Sequence, residues 1–101
     1  MKLIIRRTAA FEIAEAFAHC EIQRPGLGLE FAASVDSACV SIARNPLSFP
    51  LFYRSARKLH LRRFRHTLYF VVLTDRIEVV AFFQSNRDPH KLRSRLDDES
   101  A

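Results

Sequence analysis

The stretch RKLHLRRFRHTLYFVVLTDRIEVVAFF, Arg57 to Phe83, decides how this chain folds. Its first ten residues hold five cations and two imidazoles, and the charge then gives way abruptly to apolar sequence. Leu59 and Leu61 alternate with Lys58, His60 and Arg62. Side chains of a strand alternate between its two faces, so this pattern predicts a strand with a dry leucine face and a wet basic one. Thr67 to Thr74 is apolar on both faces, which predicts a central strand. Asp75-Arg76 stands where a two-residue hairpin turn belongs, and Ile77 to Phe83 reads as the last strand of an antiparallel meander.

Upstream of the meander the period changes. Leu27, Phe31, Val35, Ala38 and Ile42 recur at helical spacing, and so do Ala10, Ile13, Phe17 and Cys20. Pro25-Gly26 divides these two amphipathic helices, Thr8 is placed to cap the first, and Asn45-Pro46 stops the second. Two such helices joined by a short turn form an antiparallel hairpin, whose apolar side needs a sheet to cover it. Lys2 to Arg6 reads as a first strand, with Leu3 and Ile5 on one face, and Pro46 to Tyr53 as a loop. Phe49, Phe52 and Tyr53 in that loop read as caps on the core. Asp88-Pro89 has the form of an N-cap followed by proline at the first helical position, predicting a short helix over 89–97. The tail DDESA, 97–101, is expected to be flexible. The order is therefore an N-terminal strand, a helical hairpin, three strands completing one sheet and a short helix, an α+β class.

A chain of 101 residues is expected to form a single domain over 1–101. The sequence carries no signal-peptide core and no membrane span, so the expected location is the cytoplasm. Cys20 and Cys39 sit among apolar neighbours in helical segments and read as small core residues. His19, His66 and His90 are not at metal-ligand spacing with them, so no metal and no cofactor is expected. The net charge of +5 is unevenly distributed. No acidic residue lies between Asp36 and Asp75, while Arg44, Arg54, Arg57, Lys58, Arg62, Arg63 and Arg65 all do. Glu12, Glu15 and Glu21 read as a solvated helix surface. Such segregation gives one positive surface, suited to phosphate or to acidic protein segments.

In this order the motifs EIAEAFAHCEIQRPGLGLEF, NPLSFP, RKLHLRRFRHTLYFVV and IEVVAFFQSNRDPHKLRSR resemble the RelE/ParE superfamily of toxins from type II toxin-antitoxin modules. The ParE-like branch is nearer, through Pro25-Gly26-Leu27-Gly28, Asn45-Pro46, Arg57, Phe64 ahead of Tyr69 and Phe70, and Arg87-Asp88-Pro89. The chain departs from the pattern at Phe64-Arg65-His66, where Phe-Pro-Tyr is common, at Gln84 in place of a His, and at Asn86 in place of an Arg. The resemblance implies a toxin that inhibits DNA gyrase by binding, without catalysis. It also implies a cognate antitoxin that neutralises the toxin and makes the contact with DNA.

The residues leave alternatives open. A RelE-like endoribonuclease cutting mRNA on the ribosome needs a base for the ribose 2′-hydroxyl, cations around the phosphate and an acid for the leaving oxygen. Lys58, His60, Arg62 and Arg87 are its candidates, whereas Leu92 stands nearest the position where many such nucleases carry a tyrosine. The same basic row equally suits a solvated strand that guards a sheet edge. For a binding role the expected contact residues are Arg57, Lys58, His60, Arg62, Arg63, Arg65, Arg87 and Arg93. A degenerate, non-toxic antitoxin-binding member is a third reading. Homodimerisation, or a larger assembly with the antitoxin, stays open.

Overall fold

A computed structural model describes residues 1–99. The elements are β1 (Leu3–Ile5), α1 (Arg7–Gln23), α2 (Leu27–Arg44), β2 (Leu51–Tyr53), β3 (Ala56–His60), β4 (His66–Val72), β5 (Ile77–Gln84) and α3 (Pro89–Glu99). The five strands form one sheet in the order β1-β5-β4-β3-β2. β1 runs parallel to β5, with Leu3 opposite Ile77, and every other pairing is antiparallel. This is the expected α+β architecture, with one strand more than the sequence pattern predicts. The segment read as a loop contributes β2, which turns into β3 through Arg54-Ser55. Arg54 adopts φ 54°, the left-handed conformation that a two-residue hairpin turn demands. Neither residue is Gly or Asn, so the usual turn signal is missing from the sequence.

β4 is the central strand, and its two apolar faces enter different cores. On one face Leu68 and Phe70 join Val79 and Phe82 of β5 beneath the helical hairpin, with Phe31, Val35, Ala38 and Ile42 of α2 and Ala9, Ala16 and Cys20 of α1. Cys39 packs half-buried against the same core, and both cysteines are free thiols. On the other face Tyr69, Val80, Ala81 and Phe83 lie with Leu92 and Leu96 of α3. The loop aromatics cap the cores as expected. Phe49 meets Phe70 edge-on at 5.9 Å on the first face, and Phe52 tilts onto Tyr69 at 5.3 Å on the second.

The α2 stripe holds as predicted, and in α1 Ile13, Phe17 and Cys20 pack on the core as predicted while the first turn differs. Ala10 is exposed, Ala9 and Ala16 are buried, and α1 begins at Arg7 rather than after a Thr8 cap. In the first strand Leu3 turns inward while Ile4 and Ile5 stay 36% exposed. Gly26 opens α2 at φ 91°, and the Gly28 N–H donates to Glu21 Oε1 at 2.6 Å. A Cβ on Gly28 would stand 2.6 Å from that oxygen, so glycine admits the close crossing of the two helices. Glu21 is thus an interhelical cap for the start of α2, not a free surface acid.

The β4–β5 turn bends at Thr74 and Asp75, one residue earlier than predicted, and the Leu73 N–H donates to Arg76 O at 2.8 Å. Asp88 caps α3 as expected, its Oδ1 accepting the His90 N–H at 2.9 Å. α3 continues to Glu99, so Asp97, Asp98 and Glu99 of the expected flexible tail are helical. Ser100 and Ala101 lie outside the described residues.

β5 carries a bulge: Tyr69 pairs with Ala81 and Phe70 with Val79, leaving Val80 as the extra residue. β1 ends beside Val79, so the outer edge of β5 is open beyond it. Glu12 from α1 and Arg95 from α3 close that edge. The Phe82 N–H donates to Glu12 Oε1 at 3.1 Å, Arg95 Nη2 donates to Val80 O at 3.1 Å, and the two side chains pair with each other. Glu12 is therefore a clasp across the sheet edge rather than the solvated acid expected from sequence. Glu15 is exposed, as expected.

Candidate partner-binding surface

The register of β3 on β4 places Lys58 opposite Tyr69 and His60 opposite Thr67, and Thr67 in turn faces Phe83 of β5. Cross-strand partners share a face. Lys58 and His60 therefore lie on the α3 side of the sheet, beside the second core. Lys58 Nζ sits 5.2 Å from the Phe52 ring centroid, and Arg87 Cζ sits 4.6 Å from that of Phe83. Aromatic rings attract cations lying over their faces, so both charges are held at fixed places while their polar ends stay hydrated.

His60 is exposed but anchored. Its Nδ1 lies 2.5 Å from Thr67 Oγ1, which is 2.8 Å from Ser85 Oγ. Thr67 is fully buried, and its hydroxyl, held between these partners, fixes one edge of the imidazole. Thr67 and Ser85 were not predicted as site residues. The available signal was a threonine at the start of an otherwise apolar central strand, directly across from His60 once the register is known. Burial holds the Tyr69 phenol above its ordinary pKa, so it stays protonated beneath the patch.

The basic residues expected to act together divide into several settings. β3 ends at His60, and Arg62 follows in the bend Leu61–Arg65, so it does not extend the Lys58–His60 row. Instead it lines a groove against α2. Arg63 donates to Glu30 Oε1 at 2.9 Å and stands over Phe64. Together with Arg24 it holds the Glu30 carboxyl below the ordinary carboxylate range. Arg65 and Arg87 rim a cleft opposite α1 that also contains Glu15, His19 and His66. Arg57 is half-buried and donates to Phe49 O at 2.7 Å, a structural tie between β3 and the loop. Arg93 is exposed on α3. Of the nuclease candidates, Lys58, His60 and Arg87 lie on the α3 face, and Arg62 lies in the bend beyond β3, lining the α2 groove that His60 also borders.

Leu92 is 4% exposed and packed in the second core, so the position nearest the nuclease tyrosine is structural here. Among the described residues no group of His, Cys, Asp or Glu is arranged to hold a metal, and no helix is long and apolar enough to cross a membrane. The surface presents fixed cations and one positioned imidazole, an arrangement that attracts anions and orients them.

No family model matches the chain, and no curated protein does. Among solved structures it superposes on a chain of the one described as the chromosomal ParDE TA system from P. aeruginosa. The TM-score is 0.75 at 18% identity, covering 83% of this chain and 95% of that one. The chain thus has the RelE/ParE-like α+β fold, with the helical hairpin on one face of a mixed sheet and the terminal helix on the other. At this identity the likeness is one of architecture.

Proposed function

We propose that this chain is the toxin of a type II toxin-antitoxin module, ParE-like in action, which inhibits DNA gyrase by binding and is neutralised by a cognate antitoxin. The observation that carries the reading is the fold shared with a chain of the ParDE structure. Two features of the site agree with contact rather than catalysis. His60 has no tyrosine beside it on α3, since Leu92 is buried there, and Arg62 lies in the bend after β3, off the strand that carries Lys58 and His60. The long acid-free run gives the surface its positive sign, which favours an acidic antitoxin segment and speeds its association. The cytoplasm is the compartment this role requires, and contact with DNA falls to the antitoxin.

One observation favours a second reading. The anchored His60, with Lys58 and Arg87 on the same face, is the nearest thing to the constellation that a metal-independent endoribonuclease needs. Brief expression followed by a gyrase supercoiling assay and mapping of transcript ends on ribosome-bound RNA separates the two. Loss of supercoiling with intact transcripts is expected. Fresh cuts with normal supercoiling, abolished by His60→Ala, would replace the gyrase reading with the nuclease one. Tight antitoxin binding with neither activity would identify the non-toxic member.

A further inference from the structure

A groove runs between α2 and the end of β3, and its chemistry differs from that of every other surface described above. Ser34, Ser37 and Ser41 recur at i, i+3 and i+7 along one side of α2, facing Arg62 across a floor that includes Leu59 and Phe49. No carboxylate lines it. Asp36 is turned about 100° round the helix from Ser37, and Glu30 at the groove's end is taken up by Arg24 and Arg63. Arg62 is exposed and has no ion-pair partner among the described residues. By contrast the α1 cleft contains Glu12 and Glu15, and the cations on the α3 face are seated on aromatic rings.

Small residues along α2 let another backbone come close, their hydroxyls offer hydrogen bonds, the apolar floor rewards a hydrophobic side chain, and Arg62 rewards a carboxylate. We propose that this groove seats an acidic amphipathic segment of a protein partner, its apolar side on Leu59 and Phe49 and a carboxylate on Arg62. A protein segment fits better than nucleic acid, because the floor is half-buried, its one aromatic ring, Phe49, is already packed edge-on against Phe70, and Arg63, which also lines the groove, is paired with Glu30. The identity of the partner as the antitoxin rests on the toxin reading above, whereas the chemistry of the occupant rests on the groove alone.

The test uses the full chain and two probes. One is the protein encoded beside it, and the other is a fluorescein-labelled acidic amphipathic peptide of Glu, Ala and Leu. Arg62→Glu and Ser37→Glu alter exposed positions, and Arg7→Glu on α1 is the control. Circular dichroism and thermal melting establish that each variant folds. Both groove variants are expected to weaken peptide binding by about tenfold or more and the control to leave it unchanged. Hydrogen exchange is expected to slow over residues 34–41 and 59–62. Undiminished affinity in both variants overturns the proposal, as does protection confined to the Phe11–Ile22 face of α1. Competition by a single-stranded RNA oligonucleotide that Arg62→Glu abolishes would also overturn it, in favour of a nucleic-acid groove. If the neighbouring protein fails to bind the wild type, the toxin-antitoxin reading falls while the peptide titration still decides the groove.

Discussion

The hairpin-covered face and the α3-covered face of the sheet share β4 and β5 yet are closed by different means. The hairpin face is sealed by two long helices that present a nearly continuous apolar stripe, with Phe31 at 0% exposure touching Phe64, His66 and Phe82 edge-on. The α3 face is roofed by an eleven-residue helix that contributes only Leu92 and Leu96 to its core. Polar ties do the rest. Arg76, Glu78, Arg6, Glu99, Arg95 and Glu12 form one chain of ion pairs round the sheet edge, and Tyr53 and Arg54 hold Asp97. Apolar packing therefore sets the stability of the first face, while the second is a thinner, more readily opened layer on which the anchored His60 and the ring-seated cations are displayed.

Removing the largest contact on the hairpin face is expected to have the largest effect. Phe31→Ala deletes a fully buried ring and should destabilise the chain by about 3–5 kcal/mol, read from urea unfolding. Leu96→Ala on the α3 face should cost about 2 kcal/mol, the low end for a leucine, because a short surface helix can collapse onto the gap. Hydrogen exchange sharpens the contrast. Leu96→Ala should speed exchange in α3 while leaving α2 protected, and a uniform acceleration of both would mean that the two faces open as one unit.

The same contrast explains what could be read from sequence. Leu27, Phe31, Val35, Ala38 and Ile42 announced α2 because a helix buried along one stripe records its burial as a period, and β4 announced itself by being apolar on both sides. β2 did not, since a three-residue edge strand directly after Pro50 has no room for a period, and its turn is made by Arg54 rather than glycine. The basic row was half legible. Alternation placed Lys58 and His60 together, but it could not tell that the strand ends at His60 and sends Arg62 to the α2 groove. The Thr67–Ser85 support and the Glu12–Arg95 clasp depend on pairs 18 and 83 residues apart. Such pairs follow only from register and topology.

The Glu12–Arg95 clasp is where the two faces are joined, and a small change there tests whether they are coupled. Glu12→Gln keeps an acceptor for the Phe82 N–H but removes the charge opposite Arg95. The expected loss is about 1–2 kcal/mol, since a partly buried charge-assisted bond becomes a neutral one. Double mutation with Arg95→Ala should be less than additive in urea unfolding. Full additivity would show that Glu12 and Arg95 hold the edge independently of each other.

The smallest expected effect is confined to the hairpin face. His66 stacks flat on Phe82 at 4.9 Å, its Nδ1 is buried without a partner among the described residues, and burial followed by the nearby His19 lowers its pKa. The groups sharing its cleft are Glu12, Glu15 and His19 of α1, Arg63 and Arg65 of the bend, and Arg87. In the unfolded chain a histidine titrates near pH 6.5. Between that pH and the lower folded pKa, the unfolded state binds more protons than the folded one, so stability falls as pH falls through this window and is fully present above it. His66→Phe retains the stacking and has no proton to bind. Melting temperature should therefore decline from pH 7 to pH 5 more steeply in the wild type than in His66→Phe, and parallel curves would place the acid sensitivity elsewhere.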